Sequence, residues 1–169
     1  MRKSLLSLAL AMGGLLAVAG CSQHDQSTAQ APAAASQPAV SKPTDVNDSA
    51  GWNKYLASLV SQHLDGMTAT QPFAYLVTPG DSDEAKAARD RQLQTVQDTV
   101  ERGVIPGQLL AFGGAESAQT ADLVLAAFKG AKPASFKGVI VVFIGDQADQ
   151  QRVTDALKPS GATLRYVVM

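Results

Sequence analysis

The sequence predicts an α/β fold for residues 52–169: a small three-layer αβα domain with a four-stranded, mainly parallel sheet, preceded by an N-terminal helix. Short apolar segments alternate here with longer segments in which apolar residues recur at helical spacing. Phe112 and Phe143 lie 31 residues apart in two such short segments, which is the length of one strand–helix unit. Because strands separated by helices need crossover connections, we expect the strands to be parallel.

The first half of this region supplies two helices and a strand. Apolar residues at helical spacing over 52–67 predict the N-terminal helix. The apolar run 73–77 predicts a strand, since Thr, Pro and Gly follow it and favour a turn. Ser82 or Asp83 is a suitable N-cap for a second helix that extends to about Arg102.

The second half repeats this alternation. We expect strands over 108–112, 138–144 and 162–168, a helix over about 116–128, and another helix that ends at about Leu157. The strand over 138–144 is apolar at every position after its glycine, which is typical of a central strand covered on both faces. Arg165 favours an edge position for the last strand. The strand order that we prefer is flavodoxin-like, 2-1-3-4.

The chain begins with a targeting segment. Two basic residues precede an uncharged run over 5–19, which at 15 residues is shorter than the roughly 20 that span a membrane. Val18-Ala19-Gly20-Cys21 then resembles the lipobox of bacterial lipoproteins. This resemblance covers residues 1–21 and implies that 1–20 is a signal peptide and that Cys21 is lipidated. Ser22, at a position where Asp tends to mean retention in the inner membrane, implies export to the outer membrane.

Residues 21–51 are expected to form the lipidated cysteine and a disordered tether rich in Ala, Pro, Ser and Gln. Every Phe, Tyr and Trp of the chain lies at or after Trp52. A segment that has several prolines and no aromatic residue buries too little apolar surface to offset its ordering entropy. We therefore expect the folded domain to begin at residue 52.

Composition excludes several classes of function. The 14 Lys and Arg are balanced by 15 Asp and Glu, so the chain lacks the basic excess of a nucleic-acid-binding protein. One cysteine forms neither an internal disulfide nor a Cys-rich zinc site. Of the two histidines, His24 lies in the tether and His63 on the apolar side of the first helix. We therefore expect no bound metal and no cofactor.

Acidic and hydroxyl side chains follow the predicted strands. In open parallel sheets, ligands bind beyond the carboxyl ends of the strands, near the point where the strand order reverses. The loops that meet there present the candidate binding residues Asp81, Asp83, Glu116, Ser117 and Asp146. An alternative interpretation is helix capping, because Asp, Ser and Glu are favoured in the first turns of helices.

The sequence contains no complete catalytic set. Gly80-Asp81-Ser82 resembles the first block of GDSL-type hydrolases, whose serine needs a histidine further along the chain. No histidine follows His63, and no Gly-x-Ser-x-Gly motif occurs. Gly113-Gly114 lacks the spacing of a dinucleotide-binding motif. We therefore expect no catalytic residues and a protein that is not an enzyme.

These observations favour a lipoprotein of a Gram-negative bacterium, anchored to the periplasmic face of the outer membrane through lipid on Cys21. Its α/β domain would be a non-catalytic binding or accessory module for an envelope protein or a small ligand, and not for nucleic acid. Two alternatives stay open. One is a small metal-dependent enzyme that uses the strand-end carboxylates, and the other is an immunity- or inhibitor-like lipoprotein.

Overall fold

The computed structural model describes residues 40–169 of the chain. The predicted signal peptide, the lipidation site Cys21 and most of the predicted tether lie outside the described residues. Within 40–169, none of the helices is both long enough and apolar enough to span a membrane.

Helices and strands alternate along residues 40–169. They are α1 (Ser49–Ser61), β1 (Phe73–Val77), α2 (Asp83–Arg102), β2 (Leu109–Gly114), α3 (Ser117–Phe128), β3 (Ile140–Gly145), α4 (Gln150–Leu157) and β4 (Thr163–Val168). Short 3-10 helices flank α4 at Gln147–Asp149 and Lys158–Ser160. The strands form one four-stranded, all-parallel sheet, which confirms the predicted α/β class and the parallel connections.

The strand order is β1-β2-β3-β4, so the predicted order 2-1-3-4 is wrong. Each crossover connects a strand to its neighbour on the same side. Because such crossovers share one handedness, their helices all lie on the same face of the sheet. The helices α2, α3 and α4 accordingly pack together on one face, while α1 covers the other, and this gives three layers. Because the order never reverses, the sheet has no switch point to mark a ligand site.

Each face of the sheet has its own apolar core. Phe112, Val141 and Phe143 point to the α2–α4 side. Leu109 and Val142 belong to the core under α1. All six residues of β3 are buried and this strand pairs on both sides, as predicted for a central strand.

The first helix is shifted from its predicted span. It begins at Ser49, where the Asp48 side chain accepts a hydrogen bond from the Gly51 amide at 2.9 Å. It ends at Ser61 instead of continuing to residue 67, because the next two amides bond back to Leu59 and Val60 and close the helix. His63 therefore lies in the loop after α1 and not on the helix.

Residues that precede Trp52 pack against it. The indole N–H of Trp52 donates to the Asp45 carbonyl oxygen at 3.0 Å. The Lys42 ammonium lies 6.0 Å from the centre of the indole ring. Trp52 itself is only 3% exposed. Ordered packing therefore begins about ten residues before the predicted start of the domain.

Strand β4 lies at an edge of the sheet, as Arg165 predicted. The Arg165 guanidinium donates to the carbonyl oxygens of His63 and Asp65 in the loop after α1. The arginine thus fixes this loop to the edge strand, and the backbone of His63 serves as the acceptor.

Candidate functional site

The loops at the carboxyl end of the sheet are joined by side-chain hydrogen bonds. The Glu116 carboxylate, which precedes α3, accepts from the Gly80 amide at 2.7 Å. The Arg89 guanidinium on α2 donates to the carbonyl oxygens of Thr78 at 2.9 Å and Gly80 at 2.6 Å. The loop after β1 is therefore fixed to both helices that flank it.

Ser117 links the loops after β2 and β3. This residue is 4% exposed, and its hydroxyl oxygen accepts from the Asp146 amide at 2.7 Å. The hydroxyl donates in turn to the carboxylate of Asp149, which is 7% exposed. A Cβ at Gly145 would lie 2.5 Å from the Ser117 oxygen, so a glycine is needed at the end of β3.

Arg152 completes this network between α3 and α4. Its guanidinium binds the Asp149 carboxylate at 2.7 Å and the Asp122 carboxylate at 2.5 Å. It also donates to the Ala118 carbonyl oxygen at 3.0 Å. Burial tends to lower the pKa of Arg152, but the hydrogen bonds to Asp122 and Asp149 outweigh it and raise the pKa above its ordinary value. The guanidinium therefore remains charged and holds the two helices together.

Tyr166 joins the edge strand to the same network. Its hydroxyl on β4 donates to the Asp146 carbonyl oxygen. Burial raises the pKa of Tyr166, and the negative charge of Asp149 raises it further. The ring stacks on Phe143 with a centroid distance of 5.1 Å, so that the hydroxyl is held at the end of the sheet.

The five predicted binding residues have different environments. Within residues 40–169, one hydrogen bond joins two of the five, and it runs from the backbone amide of Asp146 to the hydroxyl of Ser117. The side chain of Asp146 is exposed. Glu116 contacts the loop that contains Asp81. Asp81 and Asp83 are exposed to solvent.

Helix capping explains only part of this pattern. Ser82 caps α2, because its side chain accepts from the Ala85 amide at 3.1 Å. Glu116 and Asp149 occupy the N-cap positions of α3 and α4 but form no capping hydrogen bond with their side chains. Both carboxylates bind groups from other elements instead, so they join segments and do not merely begin helices.

Sequence reasoning did not select Asp149, Arg152 or Asp122. One signal was available, because Asp149 and Arg152 are spaced i, i+3 at the start of a helix, where opposite charges meet. A second signal is that Ser117 and Asp149 lie 32 residues apart, close to the spacing of the strand–helix units. Asp122 gave no signal, since its contact depends on how α3 and α4 pack.

An open groove of about 370 Å³ lies between α2 and α3. Its lining combines carboxylates, apolar side chains and a single guanidinium: Asp81, Arg89, Asp90, Leu93, Gln119, Asp122, Leu123 and Ala126. Of the predicted binding residues, Asp81 lines this groove. The groove therefore brings one predicted residue together with side chains of two helices.

Residues 40–169 contain no cluster of three or more His, Cys, Asp or Glu side chains that could hold a metal ion. The hydroxyl of Ser117 donates to a carboxylate, whereas a nucleophilic serine is normally activated by a base such as histidine. Comparison of the chain with protein-family models, curated proteins and solved structures finds no match.

Proposed function

We propose that this protein is a lipid-anchored, non-catalytic binding module of the outer membrane, and that the α2–α3 groove is its recognition surface for an envelope partner. The observation that carries the proposal is the composition of this groove. Three carboxylates line it, from Asp81, Asp90 and Asp122, against the one guanidinium of Arg89.

The charges of the groove favour a cationic ligand group. The Arg89 guanidinium, the one positive charge of the lining, donates through Nη1 to two backbone carbonyl oxygens, which hold it towards the loop after β1. Both ion pairs within residues 40–169 are formed by Arg152, one with Asp122 and one with Asp149. The charge of Asp122 is therefore balanced by an ion pair, whereas Asp81 and Asp90 form none there. Apolar contact is available from Leu93, among others. A lysine or arginine side chain of a partner fits this combination, because its aliphatic stem packs on apolar surface while its charge meets carboxylates.

The hydrogen-bonded loops support a binding role. Glu116, Ser117 and Arg152 each join two segments at the carboxyl end of the sheet. A surface held in one conformation loses less entropy when a partner binds. Ser117 and Asp149 use their polar atoms within the fold, and this supports structural roles for both.

Anchoring is proposed from the resemblance of Val18-Ala19-Gly20-Cys21 to a lipobox. One acyl chain gives only marginal membrane binding, whereas two or more make it stable. Lipidation of the cysteine would hold the domain close to the membrane, where a weak groove interaction benefits from a high effective concentration.

Site-specific photo-crosslinking in cells tests the groove. A photoreactive residue at Ala126, in the groove lining, is compared with one at Asp155, an exposed position on α4 outside it. We expect a defined adduct from position 126 that disappears when Asp81→Asn and Asp90→Asn are combined. Adducts of equal strength from both positions, or an adduct that persists after neutralisation, would contradict the proposal.

A further inference from the structure

The amino end of the sheet, opposite the strand-end loops, has a distinct chemistry. The connections 103–108, 129–139 and 158–162 meet there, because the strands are parallel and each helix returns the chain to this end. The Gly107 amide donates to the Gly138 carbonyl oxygen at 2.7 Å, and the Phe136 amide donates to that of Ser160 at 2.8 Å. These bonds join the three connections into one surface, which we call the amino-end face.

Four exposed lysines belong to this face: Lys129, Lys132, Lys137 and Lys158. Three of these lysines lie between Asp122 and Asp146, and no acidic residue occurs in that stretch. Lys129 and Lys158 stand at the C-termini of helices, where a positive charge is favourable in any case. Lys132 and Lys137 lie outside the helices, so the helix dipole does not account for them.

Four acidic residues also lie towards this end of the sheet. Asp98 and Glu101 belong to the last turns of α2, and Asp155 lies in α4, where it accepts a hydrogen bond from Gln151. Asp65 lies in the loop after α1, and the same loop donates to the Gly107 carbonyl oxygen. The connection 129–139 contains three lysines and no acidic residue, so the basic charge of the face is concentrated there.

Exposed apolar side chains accompany the lysines. Ile105 is 69% exposed in the connection 103–108, the highest value among the large apolar residues that are exposed within residues 40–169. Phe73 is 48% exposed at the start of β1. Both line an open groove of about 300 Å³ together with Arg102. Pro106, which follows Ile105, lies beside Gly138 of the connection 129–139, because a Cβ added at Gly138 would be 3.1 Å from the Pro106 side chain.

We propose that the amino-end face binds the surface of a lipid bilayer that contains anionic headgroups. Lysines close to an anionic leaflet are attracted to it, and an exposed aliphatic side chain beside them enters the interface between headgroups and acyl chains. The combination of Ile105 with the lysines distinguishes this surface from one for a soluble polyanion, which has no hydrocarbon to accept an isoleucine.

This orientation is compatible with the groove proposed above as the recognition surface. The chain enters α1 at the carboxyl end, where Ser49 and Trp52 lie beside Thr78. Contact of the amino-end face with the bilayer would therefore direct the strand-end loops away from it. Extended chain spans roughly 3.3 Å per residue, so the 18 residues between Cys21 and Val40 reach about 60 Å at most. A six-residue strand is only about 20 Å long, so the anchor would permit this orientation.

Vesicle binding of the unlipidated chain 22–169, which contains every described residue, tests the inference independently of the lipid anchor. Vesicles of phosphatidylcholine are compared with vesicles that also contain phosphatidylglycerol. We expect binding to the mixed vesicles that weakens as salt is added, and little binding to phosphatidylcholine alone. Equal binding to both vesicles, or no binding to either, would overturn the inference.

Variants separate the electrostatic contribution of the lysines from the apolar contribution of Ile105. Lys132→Gln with Lys137→Gln should weaken binding about 25-fold, because each lysine near an anionic leaflet contributes roughly a factor of five. The matched control, Lys54→Gln with Lys86→Gln, removes two exposed lysines from α1 and α2 and should leave binding unchanged. An equal loss in the control would mean that net charge alone is responsible and would contradict the proposal.

The apolar component is tested with Ile105→Ser. We expect about tenfold weaker vesicle binding, because part of the transfer free energy of an isoleucine is lost. Binding to heparin, a soluble polyanion, should not change. If Ile105→Ser affects neither, while the lysine pair weakens both, the face binds polyanions and not a bilayer. Since all five positions are exposed, the variants should unfold at the same temperature as the parent.

Discussion

Replacing Asp149 with alanine removes the acceptor at the centre of the strand-end network. Ser117 is buried and would lose the carboxylate to which it donates, which costs about 1–3 kcal/mol for a buried polar group. Arg152 would keep Asp122 and the Ala118 carbonyl oxygen, and its side chain is 35% exposed, so its loss is only about 0.5 kcal/mol. We therefore expect Asp149→Ala to lower the free energy of unfolding by about 2–3 kcal/mol.

Urea unfolding followed by circular dichroism measures this loss, which corresponds to a decrease in Tm of roughly 10 °C for a domain of this size. Asp155→Ala is the matched control, because it removes an exposed aspartate from α4, the helix that Asp149 precedes, and should cost less than about 0.5 kcal/mol. Asp149→Asn retains a hydrogen-bond acceptor and should fall between the two. If Asp149→Ala unfolds together with the Asp155→Ala control, the network does not hold the loops and the reasoning is refuted.

Three further predictions concern the fold. Val141→Asp should lower the free energy of unfolding by several kcal/mol, because this 0%-exposed position would bury an unpaired charge; a variant that melts like the parent would contradict the central position of β3. Ala134→Gly should raise stability by about 0.5 kcal/mol in urea unfolding, since Ala134 has a left-handed φ of 58°, and a loss would contradict this. Tyr166 has a raised pKa, so its contribution to stability is present below its ordinary pKa of 10.0 and is lost as pH rises through the folded value. Between pH 10 and 11 Tyr166→Phe should therefore lose stability less steeply than the parent, and equal slopes would contradict the assignment.

The elements of the fold were predictable because their signals are local. The run 138–144 is apolar almost throughout, and a strand buried on both faces has that composition. The α2 helix begins at the predicted cap, Ser82, and ends at Arg102 as expected. Helical spacing alone placed the end of α1 too late, because Leu64 and Met67 continue the apolar spacing in the loop. They pack against the same core without being helical.

The strand order and the strand-end contacts were not predictable in the same way. The direction in which each crossover moves depends on which faces pack together, and no local pattern encodes it. Gly113 illustrates this, since a Cβ there would lie 2.6 Å from the Leu56 side chain of α1. Glu116 and Asp149 are typical first-turn residues in sequence, yet their carboxylates bind groups of neighbouring segments. Such roles depend on the three-dimensional arrangement of the loops.

The central claim is that a lipid on Cys21 anchors a folded binding module to the membrane. Mass spectrometry of the N-terminal tryptic peptide, from protein purified out of native membranes, tests it most directly. Trypsin does not cleave the bond between Lys42 and Pro43, so the first cleavage after Cys21 falls at Lys54 and should give the peptide 21–54. We predict that this peptide begins at Cys21 and carries the added mass of a diacylglyceryl group and an amide-linked acyl chain. A peptide that begins elsewhere, or one with an unmodified Cys21, would contradict the account.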